Sequence, residues 1–246
     1  VAKKVTGVLL FHVDDVLCGG SGEKYRHGEA YLRAHLPFRK WQEGHGKYTG
    51  TDLEQLPDFS VTMSQKDSAE ELKPVTIAKN ARDDAEATPS QVSQARGVLG
   101  GGVWLVSNTR PDLASQVAFG QQRIGQKTTV ADLKFVNQLP RRSRQLSDAK
   151  LIFHSIPVSE WLVTMHADAS LATCEDKKTQ GGYVVGLSEK KLLQGKPARM
   201  SFLGWKSVKL AMATASTLWA EAQAQAKGMS RMEWLIHRLE EAITGP

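Results

Sequence analysis

The chain has 246 residues, 41% of them hydrophobic, and a formal net charge of +6 at pH 7. That length fits one large domain or two ordinary ones. No apolar run reaches the ~18 residues of a membrane span, and Asp14 and Asp15 interrupt the apolar stretch after Val1-Ala2-Lys3-Lys4, so no signal peptide is expected.

The segment from Val5 to Cys18 is β-branched and apolar around an Asp-Asp pair, which predicts strand, tight turn, strand, closed by a Gly19–Gly22 loop. Residues 23–36 predict a short helix ended by Pro37, and residues 38–65 predict short strands and turns. The polar stretch 66–90 reads as a surface connection. From Ser90 to Ser107, Val92, Ala95, Leu99, Val103 and Val106 recur at helical spacing. Gly100, Gly101 and Gly102 inside that helix allow close packing at a cost in propensity. Thr109-Arg110-Pro111-Asp112 breaks the helix and starts the next, with Thr as cap and Pro in the first turn. A third helix from about Val130 to Leu139 is expected to stop at Pro140.

After Lys150 the rhythm changes. Leu151–Phe153 and Trp161–Met165 predict strands leading to a strand-end Asp168, followed by strands over Gly181–Leu187 and Met200–Trp205. A long helix from about Ala213 to Ile243 is expected to bury Leu218, Ala222, Ala226, Met229, Met232, Ile236, Leu239 and Ile243. The fold class is therefore α+β. Five tryptophans (Trp41, Trp104, Trp161, Trp219 and Trp234) read as core or core-edge residues. Cys18 and Cys174 are too far apart and too few for a zinc cluster or a disulfide framework, which favours a reducing intracellular, cytoplasmic setting. His27, His35, His45, His154 and His237 have no metal-ligand spacing.

Two adjacent carboxylates at a hairpin tip, Asp14 and Asp15, suit a hard divalent cation, though Asp is also an ordinary turn residue. A strand-borne Asp168 and a helix-borne Glu221 form a second acidic pair, equally open to an ordinary reading. Arg141, Arg142 and Arg144 form a basic cluster that suits either a phosphate backbone or a solvated helix face. The overall positive charge permits a polyanionic partner, and simple basic solubility is the alternative.

The order of these motifs is more specific than any one of them. Phe11-His12-Val13-Asp14-Asp15-Val16-Leu17 resembles the Tyr-Val-Asp-Asp-Met-Leu hairpin of copia-type reverse transcriptases, with His12 in the Tyr position. Arg96-Gly97-Val98-Leu99, Trp104-Leu105 and Thr109-Arg110-Pro111-Asp112-Leu113 resemble that family's Gly-x-Leu-x-Tyr-Leu and Thr-Arg-Pro-Asp-Ile segment. Lys177 to Val185, Leu203-Gly204-Trp205-Lys206-Ser207 and Ala213 to Ala222 resemble its ribonuclease-H strands and its Ala-Glu helix. There is one extra residue between Thr217 and Glu221, and the loop from Glu189 to Ala198 is longer than the family's.

The resemblance implies a piece of a copia-type retrotransposon Pol polyprotein. Residues 1–88 would be a palm remnant of the reverse transcriptase, 89–148 a helical thumb-like region, and 149–246 a truncated α/β ribonuclease-H-like domain. It implies Mg²⁺ at Asp14 with Asp15 and at Asp168 with Glu221, for two-metal phosphoryl transfer on RNA–DNA hybrids in the parent protein. It implies a template-primer or hybrid along Arg141, Arg142 and Arg144, and the rest of the polyprotein as partner. A further palm Asp upstream and a strand-borne Asp downstream belong to the family's sites but not to this sequence, so each acidic set is expected to be partial. The chain lacks an initiator Met, which suggests that it was cut from something longer. A non-catalytic nucleic-acid-binding fragment and a decayed element without activity are the alternatives.

Overall fold

A computed structural model describes residues 5–174, 178–212 and 216–245. Val1 to Lys4, Lys177 and Ala213 to Ala215, which figure in the motifs above, lie outside them. The chain mixes helix and sheet, as the patterning predicts. Strands β1 (Gly7–His12) and β2 (Asp15–Gly20) form an antiparallel two-stranded ribbon, so Gly19 and Gly20 end a strand instead of forming the expected loop. Helix α1 (Glu23–His35) follows with no fully buried residue. Its Tyr25 ring fills the slot left by two facing glycines: a Cβ at Gly7 or Gly20 would come within 2.4 Å of the ring.

Strands β3 (His45–Tyr48), β4 (Thr51–Gln55), β5 (Val61–Ser64) and β6 (Leu151–Phe153) make a second antiparallel sheet in that order. The β6 strand, expected to lead into the C-terminal sheet, pairs instead with β5 through Thr62 and Ile152.

The main core lies in a helical unit of α2 (Lys66–Glu71), α3 (Pro89–Asn108), α4 (Ala114–Arg123), α5 (Val130–Val136) and α6 (Gln138–Gln145). Thr88 and Gln91 close a capping box ahead of Pro89, which satisfies two orphan amides and starts α3 one residue early. The polar stretch 66–90 is more than a surface connection, because Ala69 and Val75 are core residues. The Asn137 side chain accepts from the Val75 amide at 2.7 Å and donates to the Val75 carbonyl at 2.9 Å, clasping that segment against the helices. Pro140 does not end a helix. It is the third residue of α6, where a backbone N–H has no intrahelical acceptor to lose.

The third sheet is antiparallel, β7 (Trp161–Ser170), β8 (Gln180–Glu189) and β9 (Met200–Lys209), with α7 (Thr217–Thr244) lying across β7 and β8. The Ser216 hydroxyl caps α7 by accepting from the Trp219 amide. The buried stripe of α7 is Ala220, Ala224, Gly228 and Leu235, so the expected face is rotated: Leu218, Ala222, Ala226 and Met229 point outward. Small residues draw the helix close to the sheet. A Cβ at Gly228 would lie 2.8 Å from Met165 Sδ and 3.1 Å from Tyr183 Cβ. Trp104, Trp219 and Trp234 are also exposed, contrary to the core reading.

Candidate functional sites

Val13 and Asp14 form the two-residue turn of the β1–β2 ribbon, and Asp15 already pairs with His12. Val13 holds φ at 54°, a left-handed conformation that opposes a β-branched side chain, and its side chain is almost wholly exposed. Asp14 and Asp15 are both exposed. The Asp15 carboxylate accepts from the Thr49 amide at 3.2 Å, tying the ribbon's tip to the β3–β4 turn. All of β1 is exposed, including Leu10 and Phe11.

Asp168 lies inside β7, two residues short of its end, and is exposed. Side chains alternate along a strand. Met165 and Tyr183 touch α7, so Ala167 also faces α7 while His166 and Asp168 face the other side. Glu221 rides on the first turns of α7, half-buried. Ala224, one turn on from Glu221, lies near Gly181, at the sheet end where Asp168 pairs with Gly182. The two carboxylates thus share one end of the sheet but opposite faces of it. Among the described residues, no three His, Cys, Asp or Glu side chains gather where they could hold a metal ion. Each acidic pair therefore stands without a third such side chain beside it among the described residues.

On the Asp168 face, His166 and Asp168 border a shallow recess of ≈320 Å³ with Pro111, Ala114, Ser115 and Trp205. On the opposite, α7 face of the sheet, burial raises the Tyr183 phenol above the ordinary value, against a smaller lowering by Arg231. The recess exists because the sheet packs on the helical unit there. The Trp205 indole donates to the Val106 carbonyl at 2.7 Å. Gln122 Nε2 donates to Gln180 Oε1 at 3.1 Å, and Gln180 Nε2 to Ser207 Oγ at 2.9 Å, a polar chain from α4 across β8 to β9. Sequence reading missed this chain, because isolated glutamines carry no periodic signal.

The basic cluster divides by role. Arg144 donates to the Glu70 and Leu72 carbonyls at 3.1 and 2.6 Å and finishes the end of α2. Arg142 reaches Gln116 Oε1 at 3.4 Å. Arg141 is exposed on α6. Arg110, in the Thr-Arg-Pro-Asp motif, is buried and grips Asp112 through two bonds of 2.8 Å while donating to the Ser143 carbonyl. Thr109 closes α3 and donates to Gln65 Oε1 at 2.8 Å, instead of capping the turn that follows. That motif is a structural clamp between α3 and α6.

No protein-family model matches the chain, and no curated protein matches it. Among the described residues, no helix is long and apolar enough to cross a membrane.

Proposed function

We propose that the chain is a segment of a copia-type retrotransposon polyprotein, whose parent is an RNA-directed DNA polymerase with ribonuclease H activity. The segment's own activity is to bind the backbone of an RNA–DNA hybrid. The observation that carries the reading is one of order. The Asp14-Asp15 pair falls on a hairpin, Arg96 to Leu105 on a helix, Asp168, Gly182-Tyr183 and Trp205-Lys206-Ser207 on three consecutive strands, and Glu221 on the helix after them. Each is the element type that the resemblance implies. In the parent, Asp14 with Asp15 and Asp168 with Glu221 are the carboxylates this segment contributes toward Mg²⁺. Here they stand apart, so hydrolysis and polymerisation are not assigned to the segment.

Binding rests on the excess of positive charge and on Arg141 and Arg142 at the surface of α6. Phosphate contacts release counterions, so affinity falls steeply with salt and depends little on sequence. Fluorescence anisotropy with a labelled RNA–DNA hybrid tests this. The expected result is a negative slope of log affinity against log salt that is the same for unrelated sequences, with no primer extension. Absent or salt-independent binding refutes it.

A further inference from the structure

We infer that the groove between α7 and the α3–α4 pair holds a single strand of nucleic acid, with its phosphates on Lys206, Arg231 and Lys227 and an unpaired base on Trp234. This site is separate from the α6 surface, so it stands or falls apart from the hybrid-binding reading. The groove has a volume of ≈460 Å³ and follows β9, two strands away from β7. Its walls come from four elements of this chain: Val103 and Ser107 of α3, Gln121 of α4, Leu203 and Lys206 of β9, and Arg231 of α7.

The charge in the groove has one sign. Lys206 and Arg231 line it, and no aspartate or glutamate does. Among the described residues, no carboxylate forms an ion pair with Lys206, Arg231 or Lys227. That sets them apart from Lys191, Arg199 and Arg238, whose charges are met by Glu189 and Glu241. Arg231 leans over β9, since a Cβ at Gly204 would lie 3.2 Å from its Nε. Residues two apart on a strand share a face, so Lys206 stands on the side of β9 that Arg231 covers. Lys227 precedes Arg231 by one turn, on the same flank of α7 and ~6 Å along its axis. The three cations make a track for a polyanion.

What separates a single strand from other polyanions is a bare base face. Trp234 is 46% exposed, with Arg231 Cζ 4.2 Å and Arg238 Cζ 5.4 Å from its ring centroid. An exposed ring set among cations is the composition of single-strand platforms, on which bases stack while the backbone follows the charge. Ser107 and Gln121 are exposed on the opposite wall as uncharged hydrogen-bonding groups, and Val103 and Leu203 add apolar surface. A duplex keeps its base faces inside and leaves the ring and the apolar wall unused. An acidic peptide uses the cations alone.

Fluorescence anisotropy of the full chain with a labelled oligothymidylate of about twelve nucleotides is the test. Three phosphate contacts contribute about −2 to the slope of log affinity against log salt, and K206Q/R231Q is expected to remove about 1.4 of it and to weaken binding about tenfold at low salt. The same variant is expected to bind a blunt RNA–DNA hybrid as before. W234L is expected to weaken the oligothymidylate about tenfold and to leave an abasic strand of equal length unaffected. Urea midpoints confirm folding, and K206Q alone, at an exposed side chain, carries the test if Arg231→Gln unfolds the chain. These results without any hybrid binding uphold the inference and remove only the reading of α6. An oligothymidylate that does not bind, or that binds K206Q/R231Q equally well, overturns the inference. So does equal binding of the abasic strand, or displacement by oligoglutamate as readily as by unlabelled oligothymidylate.

Discussion

Three consecutive glycines in α3 give opposite expectations for one and the same substitution. Gly100 is exposed, and a Cβ there meets nothing within 4 Å. Gly100→Ala therefore changes helix propensity alone and is expected to stabilise the protein by about 1 kcal/mol. Gly102 is buried, and its Cβ would lie 2.5 Å from Leu139 Cδ2 and 2.9 Å from Val117 Cγ2. Leu139 and Val117 are themselves core residues that cannot turn into solvent. Overpacking of this kind costs about 1–3 kcal/mol, which matches or exceeds the propensity gain, so Gly102→Ala is expected to be neutral to destabilising by about 2 kcal/mol. Urea unfolding of the two single variants reads the difference as a shift in midpoint at constant slope. Equal stabilisation by both substitutions would refute the packing assigned to α3, α4 and α6.

The two arginines of α6 separate in the same spirit. Arg144→Ala is expected to lower the unfolding midpoint, because it strips the Glu70 and Leu72 carbonyls of their donor, whereas Arg141→Ala is expected to leave stability unchanged and to reduce the salt slope of hybrid binding by about 1. Gly228→Ala is expected to be neutral to destabilising by about 2 kcal/mol through the α7–sheet contact, after the same propensity gain, read by urea unfolding. Lys191 and Arg199, with the Arg199 amide, hold the Glu189 carboxyl down at about 2 from its ordinary 4.5. Its contribution to stability is therefore full above pH 4.5 and fades as pH falls toward 2. Thermal melts across that window are expected to show a shallower acid loss for Glu189→Gln. Val13→Asn is expected to slow hydrogen exchange in β1 and β2, since Asn tolerates the left-handed turn position and Val13 has no packing to lose.

Elements with strong local signals were legible in the sequence. The β1–β2 ribbon, α1 and α3 fall within a residue or two of expectation, because alternation, spacing and a capping residue act over short range. Residues 66–90 were not, because what orders them is the Asn137 side chain, 62 positions from Val75. The face of α7 was misjudged because Ala and Gly weigh little in a hydrophobic count, although they let the helix approach the sheet. Asp168 and Glu221 were each placed on the right kind of element. Which side of the sheet each would face depends on strand phase, and only the contacts of Met165 and Tyr183 with α7 fix that phase.

The Trp205 bond to Val106 bears on how the chain is made. Val106 is in the last turn of α3, where a carbonyl has no amide ahead of it in the helix. Its donor is 99 residues downstream. At a ribosomal pace of 5–20 residues per second, α3 waits roughly 5–20 s between its own synthesis and the arrival of the indole that finishes it. The helical unit is thus born with an unfinished end, and the last strand of the third sheet, on its arrival, closes a helix laid down long before it.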